Sequence, residues 1–337
     1  MAAPFAMTPR LAVPLQLDAE CFADWRQDAP VIELGGETMG TTWRLRLAAP
    51  KEFDRAATAQ AIAARLYDIV AQMSHWRADS VLGRFNASAP GEWTALPPDF
   101  AGVMTAALAI AEVSDGAFDP AVGVLVNAWG HGPVAVQEPP TPAQVERARQ
   151  RSGFRKLRFD LERQCLRQPG GLHLDLSGIA KGFAVDAVAA LLRGRGCNHF
   201  LLEIGGELVG AGLRPDGDPW WVDLETPTTT VAPLRLALHQ LAVATSGDYV
   251  RGRHTIDPRS GLPVAHAMAV SVVHRSAMLA DAWATALSVE QPGAMRGLAV
   301  RENLAVRALM RTGSGSREWI SPALQTLMVG EEERAAF

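Results

Sequence analysis

The sequence predicts an α+β fold: a single domain in which a mixed, largely antiparallel sheet packs against helices. Three observations predict it. Between His199 and Arg275 a run of strand-like segments, HFLLEIGGELVGAG, WWVDLE, LRLALHQLAVATSG, HTID and AMAVSVVHR, is punctuated by turn residues. Hairpin-like segments are mixed with helical periodicities elsewhere in the chain. No G-x-G-x-x-G follows a strand, so the dinucleotide-binding fingerprint of a doubly wound sheet is absent.

The 337 residues, 48% hydrophobic and 20% charged, are enough for one large domain with a sizeable core. Residues 1–30 read as an extended leader. Pro4, Pro9, Arg10 and Pro14 interrupt every apolar stretch that could serve as a signal peptide, and no apolar core precedes Cys21. No run of about 20 apolar residues predicts a membrane span. The expected location is therefore the cytoplasm. Residues 31–330 form the expected domain. VIELGGETMGTTWRLRLAA reads as two strands joined by a turn, or as one strand with a bulge at Gly35-Gly36. In residues 54–73, Ile62, Leu66, Ile69 and Met73 recur at helical steps, and residues 98–114 form an alanine-rich helix. Pro139, Pro140 and Pro142 mark a loop, and Thr141 is placed to cap the helix that follows. LRFDLERQCLRQPGGLHLDL reads as a hairpin closed by Pro-Gly-Gly, leading into a helix that ends at Gly194 or Gly196. A last helix spans roughly 276–290, and NLAVRALM and REWISPAL read as closing strands.

The net charge is −4 and the basic residues are scattered without a run, which argues against a nucleic-acid binder. Cys21, Cys165 and Cys197 are far apart, so neither a zinc site nor a disulfide framework is indicated.

Four stretches carry candidate chemistry. In LHLDLSGIAKG a strand ends at Asp175-Leu176 and Ser177 is placed to cap the helix. The free N–H groups of that helix start attract anions. Lys181, a cation in the first turn, opposes the helix dipole and is better explained by a nearby phosphate, although a plain strand–helix turn with a surface lysine reads equally well. In the apolar helix SAMLADAWATALSVE, Asp281 and Thr285 share a face at i, i+4. A buried carboxylate needs a partner, and one carboxylate plus one hydroxyl suits Mg²⁺; pairing with an arginine is the structural alternative. In GAFDPAVGVLVNAWGHG, Asp119-Pro120 starts a turn, and Phe118, Asn127 and Trp129 are placed to wall an aromatic pocket or simply to cover the core. MSHWRADSVLGRFN offers Trp76 as a stacking surface. In SGDYVRGRHTIDPRSG, His254 sits on a short strand before a tight turn, with Asp257 placed to orient it or to bind a ligand hydroxyl. It reads as a general base or as a structural histidine.

Taken in order, GGETMGTTW, MSHWRADSVLGRFN, GAFDPAVGVLVNAWG, LDLSGIAKGFAVD, EIGGEL, TSGDYVRGRHTIDPRSGLPV and AMLADAWATAL resemble one family, the FAD:protein FMN transferases, or ApbE family of flavin transferases. The resemblance covers about residues 34–312. It implies an α+β flavin transferase domain that binds FAD and Mg²⁺, releases AMP and passes FMN to a threonine hydroxyl of an acceptor flavoprotein. By the same resemblance Met39, Trp76, Ala117, Phe118, Asp119, Asp175, Lys181 and Ile256 contact FAD. Gly178 through its carbonyl, with Asp281 and Thr285, holds the metal, and His254 takes the proton of the acceptor threonine. Two other outcomes remain at the same site: water as acceptor, which makes an FAD pyrophosphatase, or flavin binding without turnover. The sequence departs from the family pattern at Ala284, where some members carry a metal-binding aspartate, and at Glu203, often asparagine. Many members are exported lipoproteins, which makes a periplasmic or membrane-associated site the alternative location.

Overall fold

The structure is a computed structural model that describes residues 8–330 except 15, 18, 250, 251 and 314. Strand β1 (Arg10–Ala12) precedes β2 (Val31–Thr38), β3 (Thr41–Ala48), α1 (Arg55–Met73), α2 (Val81–Ala87), β4 (Trp93–Ala95), α3 (Pro98–Val113), α4 (Gly123–Ala128) and α5 (Pro142–Gln150). Next come β5 (Arg158–Asp160), β6 (Cys165–Arg167), α6 (Ala180–Gly194), β7 (Phe200–Ile204), β8 (Glu207–Ala211), β9 (Trp220–Asp223), β10 (Leu234–Leu238), β11 (Leu241–Gly247) and β12 (Ala267–His274). The chain closes with α7 (Ala277–Val289), α8 (Pro292–Arg301), β13 (Ala305–Thr312), β14 (Gly315–Ile320) and α9 (Pro322–Gln325).

Eight strands form the central sheet in the order β14-β13-β12-β11-β8-β7-β3-β2, with every neighbouring pair antiparallel. A three-stranded sheet, β1-β10-β9, supplies the parallel pairing, between β1 and β10. Strand alternation sorts the central sheet's side chains onto two faces. Val270 and Val272 join the core beneath α3 and α7, and Leu202 and Val209 join the core beneath α1 and α6. Val243 and Val273 instead meet β9, β10 and α9. The result is three layers: helices, the eight-stranded sheet, and the small sheet with α9.

Local chemistry explains the elements that hold the site. The β2–β3 connection is a two-residue turn in which Met39 and Gly40 both have positive φ, 49° and 69°, the turn geometry that matches strand twist. Gly35 and Gly36 pair in register with Arg44 and Trp43, so the two-strand reading is the observed one and no bulge forms there. Helix α1 starts where Asp54 accepts the Ala57 N–H, and buries Ile62, Leu66, Ile69 and Met73. Thr141 and Gln144 form a capping box at α5. Helix α7 is buried on nearly every side, as its unbroken apolar character requires.

Four expectations are corrected. The β5–β6 hairpin turns through residues 161–164, and Pro169-Gly170-Gly171 lies beyond β6. The segment through Asp175 is extended but belongs to no sheet; Asn86 bonds both the N–H (2.7 Å) and the carbonyl (3.1 Å) of Leu174, doing with a side chain what a neighbouring strand would do. Ser177 does not cap α6, whose N-cap is Ile179 without a side-chain bond. The helix over 277–289 is followed by α8, which the two glycines in PGAMRGLAVR obscured. Of the leader, residues 1–7 lie outside the described residues. Farther along, β1 pairs with β10, Arg10 binds Glu318, and the Trp25 indole donates to the Arg214 carbonyl at 2.8 Å. Among the described residues no helix is long and apolar enough to cross a membrane.

Candidate active site

At one end of the central sheet, where β3 begins, β7 turns into β8 and β11 ends, lies a cavity of about 500 Å³. Trp76, Ala117, Phe118, Asp119, Asp175, Gly178, Lys181, His254, Ile256, Asp281 and Thr285 all line it. Segments separated by more than two hundred residues are thus brought together. Met39 is not on the cavity wall. It sits in the hairpin turn two residues before the lining residue Thr41, and its side chain packs against the core under α1 and α6.

The charged centre is built on α6 and α7. The Gly182 N–H, free in the first turn of α6, donates to Asp281 Oδ2 at 3.0 Å. The helices can approach this closely because residue 182 has no side chain: a Cβ there would lie 2.2 Å from the Ala277 carbonyl oxygen and 2.8 Å from Asp281 Cβ. One helical turn along α6, the Asp186 carboxylate accepts the N–H groups of Ala277 (2.8 Å) and Met278 (3.0 Å) and the Ser276 hydroxyl (2.6 Å). The two helices therefore exchange carboxylates, which sets the register of α7.

Lys181 contacts Glu207 Oε1. Glu207 is buried at the start of β8, and among the described residues its Oε2 has no hydrogen-bond partner. Burial pushes its carboxyl up to about 7, with Lys181 opposing and the nearby Asp281 adding to the rise. Burial also raises Asp281, against the pull of Lys181 and the Gly182 N–H. One ammonium thus serves two buried carboxylates, a placement that calls for more positive charge.

The remaining donors are oxygens. Thr285 Oγ1 lies 3.1 Å from Ser246 Oγ, and a Cβ on Gly178 would stand 2.8 Å from that same Thr285 oxygen, so the Gly178 backbone passes close beside it. Among the described residues no three His, Cys, Asp or Glu side chains converge as a metal cluster. A carboxylate, a hydroxyl and a backbone carbonyl, with orphaned acceptors on Glu207 and Asp175 lining the same cavity, fit a hydrated hard divalent cation. Ala284 is buried in the core away from the cavity wall. Glu203 lies in β7 opposite Arg44, also away from the cavity.

Around this centre the loops are held by their own polar groups. Asp175 Oδ1 accepts the Ser177 N–H at 2.8 Å and lies 3.6 Å from His75 Nδ1. Both oxygens of Asp119 accept backbone N–H groups, from Ala121 (2.7 Å) and Phe154 (3.0 Å), and burial raises its carboxyl to about 6. Its carboxylate therefore braces the loop that presents Ala117 and Phe118. His254 lies in irregular chain rather than on a strand. Its Nδ1 is 2.9 Å from the Gly252 carbonyl, an acceptor that favours a proton on Nδ1. Asp257 receives the Arg259 N–H and the Ser260 hydroxyl, both at 3.0 Å, and so organises the turn. Trp129 locks that turn from outside through a 2.8 Å bond to the Gly261 carbonyl rather than walling the cavity, and Asn127 pairs with His173.

Sequence reasoning passed over His75, His131, Glu207 and Tyr249, which also line the cavity. His131 stands edge-on to His254 with ring centroids 6.4 Å apart. The one local signal for Glu207 was a carboxylate after the Gly205-Gly206 turn inside an apolar run. His131, flanked by glycines, gave none.

A sequence model described as the ApbE family matches residues 39–310. The FAD:protein FMN transferase of Haemophilus influenzae is 34% identical over 329 residues, covering 91% of this chain and 94% of that protein. The solved flavin transferase ApbE from Vibrio cholerae superposes with a TM-score of 0.82 at 33% identity, over 89% of this chain and 99% of that one. The Pseudomonas stutzeri flavinyl transferase ApbE, apo form, gives 0.83 at 33% identity, over 90% and 98%. Sequence and fold agree over nearly the whole length, and on that agreement the chain belongs to the ApbE family.

Proposed function

We propose that this chain is an FAD:protein FMN transferase that moves FMN from FAD to a threonine hydroxyl of an acceptor flavoprotein and releases AMP. The observation that supports this most directly is the meeting, in one cavity, of Lys181, the buried Asp281, the Thr285 hydroxyl and the imidazole of His254. Phosphoryl transfer needs positioning and charge neutralisation more than covalent help from the protein.

In this reading Asp281, Thr285 and the Gly178 carbonyl hold Mg²⁺, which when bound neutralises charge on the diphosphate and on the departing phosphate. The Lys181 ammonium faces the same diphosphate from the first turn of α6. Trp76 and Phe118 border the space for the flavin ring, and the Asp175 carboxylate accepts an N–H or hydroxyl of the dinucleotide. The His254 imidazole accepts the threonine proton. The threonine oxygen bonds to the FMN phosphorus, the bond from that phosphorus to the bridging oxygen breaks, and AMP leaves with that oxygen. With water in place of threonine the same groups give FMN and AMP.

The test is incubation of the full chain with FAD and Mg²⁺, alone and with co-expressed candidate flavoproteins. Flavin fluorescence that stays with the acceptor on a denaturing gel, with one AMP per label, is the expected result. FMN and AMP without label would assign hydrolysis, and unchanged FAD with every acceptor would remove the enzymatic reading.

A further inference from the structure

A second cleft, about 300 Å³ in volume, opens over the small sheet β4-β6-β5 and is lined by Gly91, Lys156, Arg158, Arg167, Gln168 and Pro169. None of these residues lines the catalytic cavity. Arg158 and Arg167 are direct cross-strand partners, and Trp93 takes the same row on β4, so all three project from one face. Like charges in direct register repel. Yet no carboxylate lines the cleft, and among the described residues neither arginine forms an ion pair. The nearby Arg155 and Arg163 are engaged by Asp115 and Asp160.

The walls are built rather than loose. The Lys156 ammonium at the cleft wall donates to the carbonyls of Gln150 and Ser152. Gln168, fully buried, donates to the carbonyls of Phe85 and Leu172 and accepts the N–H groups of Gly170 and Leu172. Its backbone carbonyl receives the Gly91 N–H at 2.8 Å. The whole chain is net negative, yet between Arg147 and Arg167 there are eight arginines and lysines against Asp160 and Glu162 alone.

We propose that this cleft is a phosphate-binding site for a phosphate monoester, either a small soluble ester or the headgroup of a phospholipid. The two guanidinium groups and the ammonium supply the positive charge a doubly charged phosphoryl group needs; Arg167 Nε already donates to the Gly91 carbonyl at 3.4 Å, and guanidinium donors bind phosphate oxygens in parallel pairs. The cleft is larger than the phosphoryl group alone, and the half-exposed Trp93 beside it gives the substituent an apolar surface.

The experiment titrates the full chain with inorganic phosphate and reads calorimetry and thermal unfolding. Saturable binding at this cleft is expected to weaken about tenfold or more in Arg158→Gln/Arg167→Gln, which removes both charged forks. Without phosphate that variant should melt at or above the wild type, because the repulsion is gone, and phosphate should no longer raise its Tm. Lys181→Gln, altered only in the catalytic cavity, should bind like the wild type. If the double glutamine variant fails to fold, Arg158→Lys/Arg167→Lys keeps the charge, loses the forks and should still bind several-fold more weakly. Phosphatidylcholine vesicles with and without phosphatidic acid separate the two sources. Arginine-dependent binding to phosphatidic acid alone assigns the headgroup, and a response to free phosphate assigns the soluble ester. No saturable response to either probe, a response that survives loss of both arginines, or one abolished by Lys181→Gln would overturn the proposal.

Discussion

Asp281 and His254 divide the proposed chemistry between a buried and a half-exposed group. Asp281 is enclosed, and its neighbours return only part of the charge stabilisation it lost on leaving water. Asp281→Ala should therefore reduce Mg²⁺-dependent AMP release from FAD to background; full activity across a Mg²⁺ titration would remove the residue from the metal site. His254→Ala should slow transfer by roughly 10²–10⁴, the usual worth of a general base, while FAD affinity stays nearly intact. An equal loss of FAD binding would make the histidine structural. Asp119 carries a pH signature. Its folded value, about 6, stands above the ordinary 3.8 because of burial. Folding then takes up a proton between those values, so stability falls as pH rises through that window and is unpenalised below it. Denaturant unfolding between pH 4 and 7 should show the wild type losing ground to Asp119→Asn as pH rises, and a pH-independent difference would refute the assignment.

Helices α6 and α7 act as one unit. Asp186 of α6 accepts three donors at the start of α7, and Asp281 of α7 accepts one at the start of α6. Gly182 packs directly against the backbone of α7. Gly182→Ala would drive a methyl group into the Ala277 carbonyl, a rigid backbone neighbour, at a cost of about 1–3 kcal/mol. Urea unfolding should register that loss, and FAD turnover should fall even where the variant is folded, because Asp281 and Lys181 move apart with their helices. Unchanged stability would mean that the helices separate freely and do not fix the site.

The outer layer is joined to the central sheet through a buried arginine. Arg307 of β13 is 1% exposed. It bonds Glu318 at 2.7 Å, Thr226 Oγ1 at 2.7 Å and the Ala232 carbonyl at 3.0 Å. Glu318 also receives Arg10 of β1. The N-terminal strand, the small sheet and the edge of the large one thus share one charge network. Glu318→Ala should cost about 3 kcal/mol, because Arg307 would stay buried without its counter-charge. Arg10→Ala should cost less, since Arg307 keeps its partner. Equal losses in the two variants would contradict this ranking.

Periodicity and local chemistry act over a few residues, and what depends on them was readable in the chain. The spacing of Ile62, Leu66, Ile69 and Met73 defined α1, Thr141 marked the start of α5, and the nearly all-apolar stretch of roughly 276–290 implied a buried helix. The same holds for the Asp281/Thr285 pair one turn apart and for Lys181 in a first helical turn. Side chains that act across long separations were not readable. Asn86 stands in for a strand beside Leu174, 88 residues away, so Asp175 looked like a strand end. Gly182 meets Asp281 across 99 residues, and Glu207 meets Lys181 across a strand turn and the whole of α6. Arg158 and Arg167 come to share a cleft only when β5 and β6 pair in register. Helix and strand character are settled by neighbours along the chain. Which buried charges share a cavity is settled by how helices and sheet pack, because burial and Coulomb energy depend on distance in space.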